Sequence, residues 1–213
     1  ISQEPFKADD GTIVYPNEEN YKSTVYYNFI NRVVKYVCEV YKNAKFLTLA
    51  YLYAFPCPKI KVDERVAIGL CPIDINEHLI YRKDTSSKVI HMFDNMQRWC
   101  DKTVDVFLYA YWQSVRNGYP RPLAKNVQEN LKDFKQMGVR HLIPEGFLDE
   151  SNAKGVSEWF DLNEMYVWQM NKLFWNVNID LDLLTEKYCR LVYGKAKDDM
   201  IEFYRLIQKG WDI

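Results

Sequence analysis

Four apolar runs, spaced along the chain and separated by helix-like segments, constrain the fold more than any other feature of this sequence. The runs are Lys45–Tyr53, Arg65–Ile73, Val104–Trp112 and Gly138–Phe147. Each is apolar at successive positions, which is typical of a strand buried on both faces. Such strands, alternating with helices, predict an α/β fold with a parallel sheet covered by helices.

Apolar residues at helical spacing occupy the segments between these runs. The spacing predicts a helix over Ser23–Asn43 with Ser23 or Thr24 as its N-cap, and further helices over about Lys88–Cys100 and Leu123–Met137. The segment Ala54–Arg65 has room for a crossover between parallel strands but little helical pattern.

The C-terminal part of the chain has helical patterns and no further apolar run. Trp159, Trp168, Phe174 and Trp175 follow helical spacing and are predicted to pack, and Gly194 is predicted to end a helix. A complete (β/α)8 barrel has eight strands and usually takes about 250 residues, so the four predicted strands correspond to about half of a barrel. A small open α/β sheet is the alternative. We predict a partial barrel over residues 1–176 and a helical extension packed on it over 177–213.

Composition narrows the possible partners and cofactors. The 213 residues are 48% hydrophobic with a formal net charge of -1, and the basic residues are scattered, which argues against nucleic acid as a partner. No apolar stretch has the length of a membrane span. The five cysteines are odd in number and form no Cys-x-x-Cys pair, so we predict core thiols, no metal site and no cofactor.

Within the last run, Gly138–Phe147, the apolar stretch ends on a carboxylate, Glu145, which is followed at once by a glycine. In parallel α/β folds the carboxyl ends of the strands form the rim where substrates bind, so Glu145 is a candidate catalytic residue. Glu4 and Asp74 are candidates for a second catalytic carboxylate. The candidate substrate-binding residues also follow the strands: Tyr51, Tyr53, His78, Tyr109, Tyr111 and Trp112.

Carboxylates with aromatic walls are typical of carbohydrate sites, because aromatic rings stack on the C–H faces of sugars while carboxylates work as acid and base. Each candidate also has a structural alternative. Glu145 can cap a helix or pair with Arg140, Glu4 can be a solvated surface charge, and Asp74 can hydrogen-bond a turn. The tyrosines and Trp112 fit a core as well as a cleft.

Several stretches resemble a family of bacterial glycoside-hydrolase-like proteins that is known only as a domain of unknown function, family 4838. The similarity runs from about Thr24 to Tyr204, and its most specific parts are FINRV, FLTLAYLY and NKLFWNVNIDLDLLTEKYCRLVYGKA. The segment LIPEG resembles the family's last barrel strand, which ends in a carboxylate and a glycine. The resemblance implies that Glu145 holds that position.

The resemblance also implies that this chain is the C-terminal half of a barrel whose first half lies upstream. The chain begins with Ile1 rather than Met, and if Ile1–Gln3 close a strand, the four apolar runs become strands five to eight. Many family members have closely spaced cysteines where this chain has Glu4–Asn20, so a metal or disulfide there is not expected. A periplasmic or secreted location and an interaction with the barrel's other half, or self-association, are further expectations.

Two functions remain open at this point. One is a glycoside hydrolase in which Glu145 acts as acid or base on a poly- or oligosaccharide. The other is a non-catalytic carbohydrate-binding or scaffolding domain, because a fold does not imply its chemistry. A nucleotide-binding domain is a weak alternative, since no glycine-rich phosphate loop follows any apolar run.

Overall fold

The computed structural model describes residues 4–73, 79–103, 105–112, 120–145 and 162–212. The chain divides into two compact units. The sheet unit comprises Ile1–Asp74, Thr85–Ala110 and Lys135–Ile143, and the helical unit comprises Ile75–Asp84, Tyr111–Phe134 and Pro144–Ile213.

A four-stranded parallel sheet organises the sheet unit, as the four apolar runs predict. Its strands, in spatial as well as chain order, are β3 (Phe46–Ala50), β4 (Val66–Leu70), β5 (Val106–Ala110) and β6 (His141–Pro144). A short antiparallel pair, β1 (Phe6–Lys7) and β2 (Ile13–Val14), precedes them. The parallel α/β class is therefore confirmed.

The two faces of the sheet differ in how well they are covered. On one face, Thr48 of β3 shares a 2.7 Å hydrogen bond with Tyr26, and Ile68 of β4 is fully buried. On the other face Leu47 and Leu49 of β3 are 59% and 37% exposed. Among the described strands β3 pairs with β4 alone, so the sheet has an open edge beside these leucines.

Helix α1 (Tyr21–Val40) begins earlier than the sequence predicts, and the expected N-cap is wrong. Asn20 occupies the cap position without a side-chain cap hydrogen bond, while Ser23 and Thr24 are buried inside the helix. The Thr24 hydroxyl instead accepts a 3.0 Å hydrogen bond from the backbone N–H of Lys59. The Thr24 hydroxyl, which could cap a helix, therefore holds the loop at Lys59 in position instead.

The other predicted helices are confirmed within a few residues. Helix α2 (Ser87–Lys102) begins with a side-chain cap from Ser86, and α3 covers Ala124–Met137. Between β3 and β4 the chain forms only the short 3-10 helix Leu52–Ala54, in agreement with the weak helical pattern there.

The described residues from 162 to 212 form three helices of the helical unit: α4 (Glu164–Leu173), α5 (Leu181–Tyr193) and α6 (Lys197–Trp211). They enclose a core of buried residues, namely Met165, Tyr166, Tyr188, Cys189 and Tyr204. Gly194 follows α5 at φ 54°, which confirms the predicted helix end. Trp175 is 93% exposed because α4 ends before it, so its predicted packing role is wrong.

The five cysteines are free thiols, and Cys38, Cys57, Cys71 and Cys189 are buried. Within the described ranges no helix is both long and apolar enough to cross a membrane.

Candidate functional site

Glu145 directly follows β6, whose last residue is Pro144. Its side chain is half-buried and takes part in an interaction within the protein. A strand fixes the position of the residue that follows it better than a long loop does, which suits a group that must meet a reacting atom. Its role in catalysis stays a prediction.

The segment that follows β3 has the most unusual backbone of the described residues. Tyr51 is extended, and Leu52 then adopts φ 47°, the one described non-glycine residue with a positive φ. A bulky residue in this region is a real outlier and costs on the order of 1–3 kcal/mol. Leu52 is nevertheless 61% exposed, so burial of its side chain does not offset that cost.

Two buried residues of α2 hold the segment after Leu52 in place. The carbonyl of Phe55 accepts hydrogen bonds of 2.8 Å from Asn95 Nδ2 and of 2.8 Å from Trp99 Nε1. Asn95 Oδ1 also accepts a 2.7 Å hydrogen bond from the backbone N–H of Cys57. Asn95 and Trp99 are 1% and 0% exposed, so this connection is rigid and shielded from water.

Tyr53 is the most exposed of the described candidate aromatic residues, at 57%. Its ring lies 6.1 Å from that of Tyr26, with the planes almost perpendicular, which is a favourable aromatic geometry. The hydroxyl of Tyr26 shares the 2.7 Å hydrogen bond with Thr48. The end of β3 therefore presents an aromatic ring to solvent, in edge contact with the ring of Tyr26.

The aromatic residues after β5 belong to different environments. Tyr109 and Tyr111 are half-buried and each takes part in an interaction within the protein. Trp112 is only 4% exposed, and its indole N–H donates a 2.9 Å hydrogen bond to the Tyr81 hydroxyl. Its ring also stacks on Phe134 at 6.3 Å within the helical unit. Sugar stacking needs an open ring face, so the exposed ring of Tyr53 suits it better than the buried indole.

The remaining candidates are less informative. Glu4 is exposed, and its backbone carbonyl accepts a 3.1 Å hydrogen bond from the Tyr21 hydroxyl. Asp74, His78 and Ile1–Gln3 lie outside the described residues. Tyr51 is half-buried at the end of β3.

The chain matches the model of one known protein family. The model of a family described as a domain of unknown function (DUF4838) matches residues 7–205. The chain belongs to this family. No curated protein and no solved structure matches it. Membership in DUF4838 leaves the glycoside-hydrolase and bacterial parts of the resemblance as predictions.

Each unit of this DUF4838 chain also has a cavity of its own. In the helical unit a cavity of about 760 Å³ lies between α4, α5 and α6. Its apolar lining includes Tyr166 and Tyr204. On its polar side Lys125 and Asp212 are paired at 2.9 Å. In the sheet unit a more polar cavity of about 540 Å³ includes Asp9 and Arg32, which already neutralise each other.

Metal-ligating side chains do not cluster in the described part of the chain: no group of three or more His, Cys, Asp or Glu residues could hold an ion there. Burial raises the pKa of the Cys57 thiol, so this cysteine stays protonated at neutral pH and is a poor nucleophile.

Leu52, Asn95 and Trp99 belong to the strand-end region but were not among the candidates predicted from the sequence. Residues with a positive φ are usually glycine or asparagine, so a leucine at position 52 gives no indication of this conformation. Asn95 is an uncharged polar residue on the buried side of an amphipathic helix, and that placement is the one sequence feature that points to it.

Proposed function

We propose that this chain is the second half of a (β/α)8 barrel that binds and hydrolyses oligo- or polysaccharides, with Glu145 as general acid or base. One observation carries the proposal: a carboxylate directly follows the last strand of a four-stranded parallel sheet. Parallel α/β barrels use the carboxyl ends of their strands for catalysis, and glycoside hydrolysis needs carboxylates held at such positions.

The open side of the sheet supports the barrel. Leu47 and Leu49 of the edge strand are exposed on the face that they share with the buried Phe107 of β5. In a closed barrel that face is the interior and further parallel strands pair with the open edge, so both features are explained by four additional strands.

The exposed aromatic residue at the end of β3 supports a sugar as the ligand. Tyr53 is 57% exposed, and the neighbouring Tyr26 carries a hydroxyl that shares a hydrogen bond with Thr48. A pyranose ring has both an apolar face and hydroxyl groups at its edge, so it complements this combination.

A non-catalytic carbohydrate-binding domain is the second candidate. The contacts that fix the Tyr51–Phe55 segment come from Tyr26, Asn95 and Trp99, none of which is a carboxylate. A binding surface of this kind works without acid or base chemistry, so it would persist in a protein that has lost, or never had, hydrolytic activity.

The deciding experiment is a hydrolysis screen of the full-length protein on chromogenic glycosides and on plant and host polysaccharides. A Glu145→Gln variant should lower kcat by about a hundredfold or more, because a general acid or base contributes at least that much. Glu39→Gln, which changes an exposed carboxylate of α1, is the matched control and should leave kcat unchanged. Hydrolysis that survives in Glu145→Gln would overturn the catalytic assignment, and glycan binding without hydrolysis would favour the second candidate.

A further inference from the structure

We propose that Leu52 and Tyr53 form a preformed platform for one face of a sugar ring, and that the strained backbone of Leu52 exists to present it. The ligand class rests on the proposed function, whereas the platform itself rests on backbone geometry. We call these two residues the strand-end platform.

Packing does not account for the conformation of Leu52. The residue has φ 47° and leaves 61% of its surface exposed, and Tyr53 beside it is 57% exposed. A strained backbone persists only where the surroundings impose it, and such residues cluster at ligand-binding positions. Two neighbouring exposed apolar side chains held at a backbone cost are therefore best explained by a ligand that contacts both.

The surroundings that impose this conformation are visible in the sheet unit. Within the turn, the N–H of Ala54 donates to the carbonyl of Tyr51 at 2.9 Å, and the N–H of Phe55 donates to that of Leu52 at 3.1 Å. Asn95 and Trp99 then fix the Phe55 carbonyl from the buried side. Because the segment is ordered before a ligand arrives, binding loses little conformational entropy.

The chemistry of the platform favours a ring with an apolar face and a hydroxylated edge. Leu52 and Tyr53 supply the apolar contact, and the ring of Tyr26, whose hydroxyl shares a hydrogen bond with Thr48, lies 6.1 Å from the ring of Tyr53. Charged side chains take no part in these contacts, which suits a neutral ligand better than an anion or cation. A pyranose unit of an oligosaccharide meets each of these conditions.

The test is a binding measurement on the full-length protein carrying Glu145→Gln, so that no substrate is consumed. Calorimetry with hexasaccharides of β-1,4-linked glucose, xylose, mannose and N-acetylglucosamine identifies the best ligand. Adding Tyr53→Ala should then weaken its affinity by about tenfold, the loss expected for a central aromatic contact. Tyr36→Ala removes a tyrosine that is 75% exposed on α1 and should leave the affinity unchanged.

Leu52→Asn separates a platform from a packing role. Asparagine tolerates positive φ far better than leucine, so the variant should raise the thermal midpoint by roughly 2–4 °C while it weakens ligand affinity. A lower midpoint with unchanged affinity would assign Leu52 to packing and overturn the platform.

The outcomes also separate the platform from the proposed function. Binding that neither Tyr53→Ala nor Leu52→Asn affects overturns the platform alone and leaves Glu145 as a candidate. Absence of binding to all four hexasaccharides overturns the sugar as the platform's ligand. Binding that depends on Tyr53, together with no hydrolysis of any screened substrate by the protein that retains Glu145, overturns the hydrolase and retains the platform.

Discussion

Gly69 occupies a point in β4 where no side chain fits. A Cβ there would lie 2.3 Å from Cζ of Phe107 and 2.7 Å from Cδ2 of Leu49. Because Phe107 is buried and has little room to move, Gly69→Ala should lower the free energy of unfolding by about 1–3 kcal/mol, as overpacking does. Urea denaturation followed by circular dichroism measures the change.

Gly210 in α6 provides the matched control for that substitution. A Cβ at this position meets nothing within 4 Å, and the backbone is helical. Gly210→Ala should therefore raise the free energy of unfolding by about 0.5–1 kcal/mol. If both alanine variants shift stability in the same direction, the close approach at Gly69 does not govern its effect.

Two aspartates should respond to pH in opposite ways. Burial raises the pKa of Asp133, which pairs with Arg82 at 3.1 Å, whereas the hydrogen bonds from Arg65 lower the pKa of Asp63. The charge on Asp133 therefore costs stability above its usual pKa of 3.8, and this cost disappears as pH falls through its raised value. The charge on Asp63 adds stability above 3.8, and that gain is lost as pH falls through its lowered value.

Comparing Asp133→Asn and Asp63→Asn with the unsubstituted chain isolates each contribution. From about pH 7 down to about pH 3, the stability of Asp133→Asn relative to the unsubstituted chain should fall, and most of the change should lie above 3.8. The stability of Asp63→Asn relative to the unsubstituted chain should rise instead as the pH falls, mainly below pH 3.8. Urea titrations at each pH measure both, and slopes of equal sign would contradict the assigned environments.

Individual residues show where sequence reasoning is sufficient and where it is not. Glu145 was predicted at a strand end from local sequence, because the apolar residues Leu142–Pro144 stop at this carboxylate and a glycine follows it. Leu52 cannot be found in this way, since the hydrogen bonds that fix the segment after it, at the carbonyl of Phe55, come from α2, a helix that begins 35 residues later at Ser87. Contacts between distant segments leave no local periodicity.

At the scale of single elements, α5 depends on its N-cap. Asp180 Oδ1 accepts hydrogen bonds from the backbone N–H groups of Asp182 at 2.9 Å and Leu183 at 3.1 Å. Asp180→Ala leaves both groups without this acceptor and should cost about 1 kcal/mol of unfolding free energy. Asp180→Asn is the control, because asparagine caps helices about as well. Equal losses in the two variants would show that charge rather than capping matters.

Helices and strands were predictable where their apolar residues follow a regular pattern along the sequence. The strands were found because they are apolar throughout, and α2 and α3 because their apolar residues recur at helical spacing. The N-cap of α1 was not predicted correctly, because the Thr24 hydroxyl, which could cap a helix, accepts a hydrogen bond from the backbone of Lys59 instead. A local preference is overridden when a tertiary partner offers a buried hydrogen bond.

For the whole molecule, the order and direction of the strands follow from the sequence, but closure into a barrel does not. Strands joined by segments of a dozen or more residues pair in parallel with their neighbours, and β3 to β6 do so in chain order. Closure depends on strands that pair with the open edge of β3, and the sequence patterns of β3 to β6 carry no information about those further strands.

The open face of the sheet predicts how the 213-residue chain behaves in solution by itself. Leu47 and Leu49 expose apolar surface beside an edge of β3 that none of the described strands covers, a combination that promotes association. Light scattering after size-exclusion chromatography should give a mass above 25.4 kDa that rises with protein concentration. Leu47→Lys should lower this mass toward that of the monomer, because a charge at the edge opposes strand pairing.

Leu191→Lys serves as the control, since Leu191 is 67% exposed on α5 in the helical unit and lies on no strand edge. It should leave the association unchanged. If the unsubstituted chain stays monomeric at every concentration, the open face is not an association surface. If both lysine variants reduce the mass equally, general hydrophobicity rather than the edge of β3 drives association.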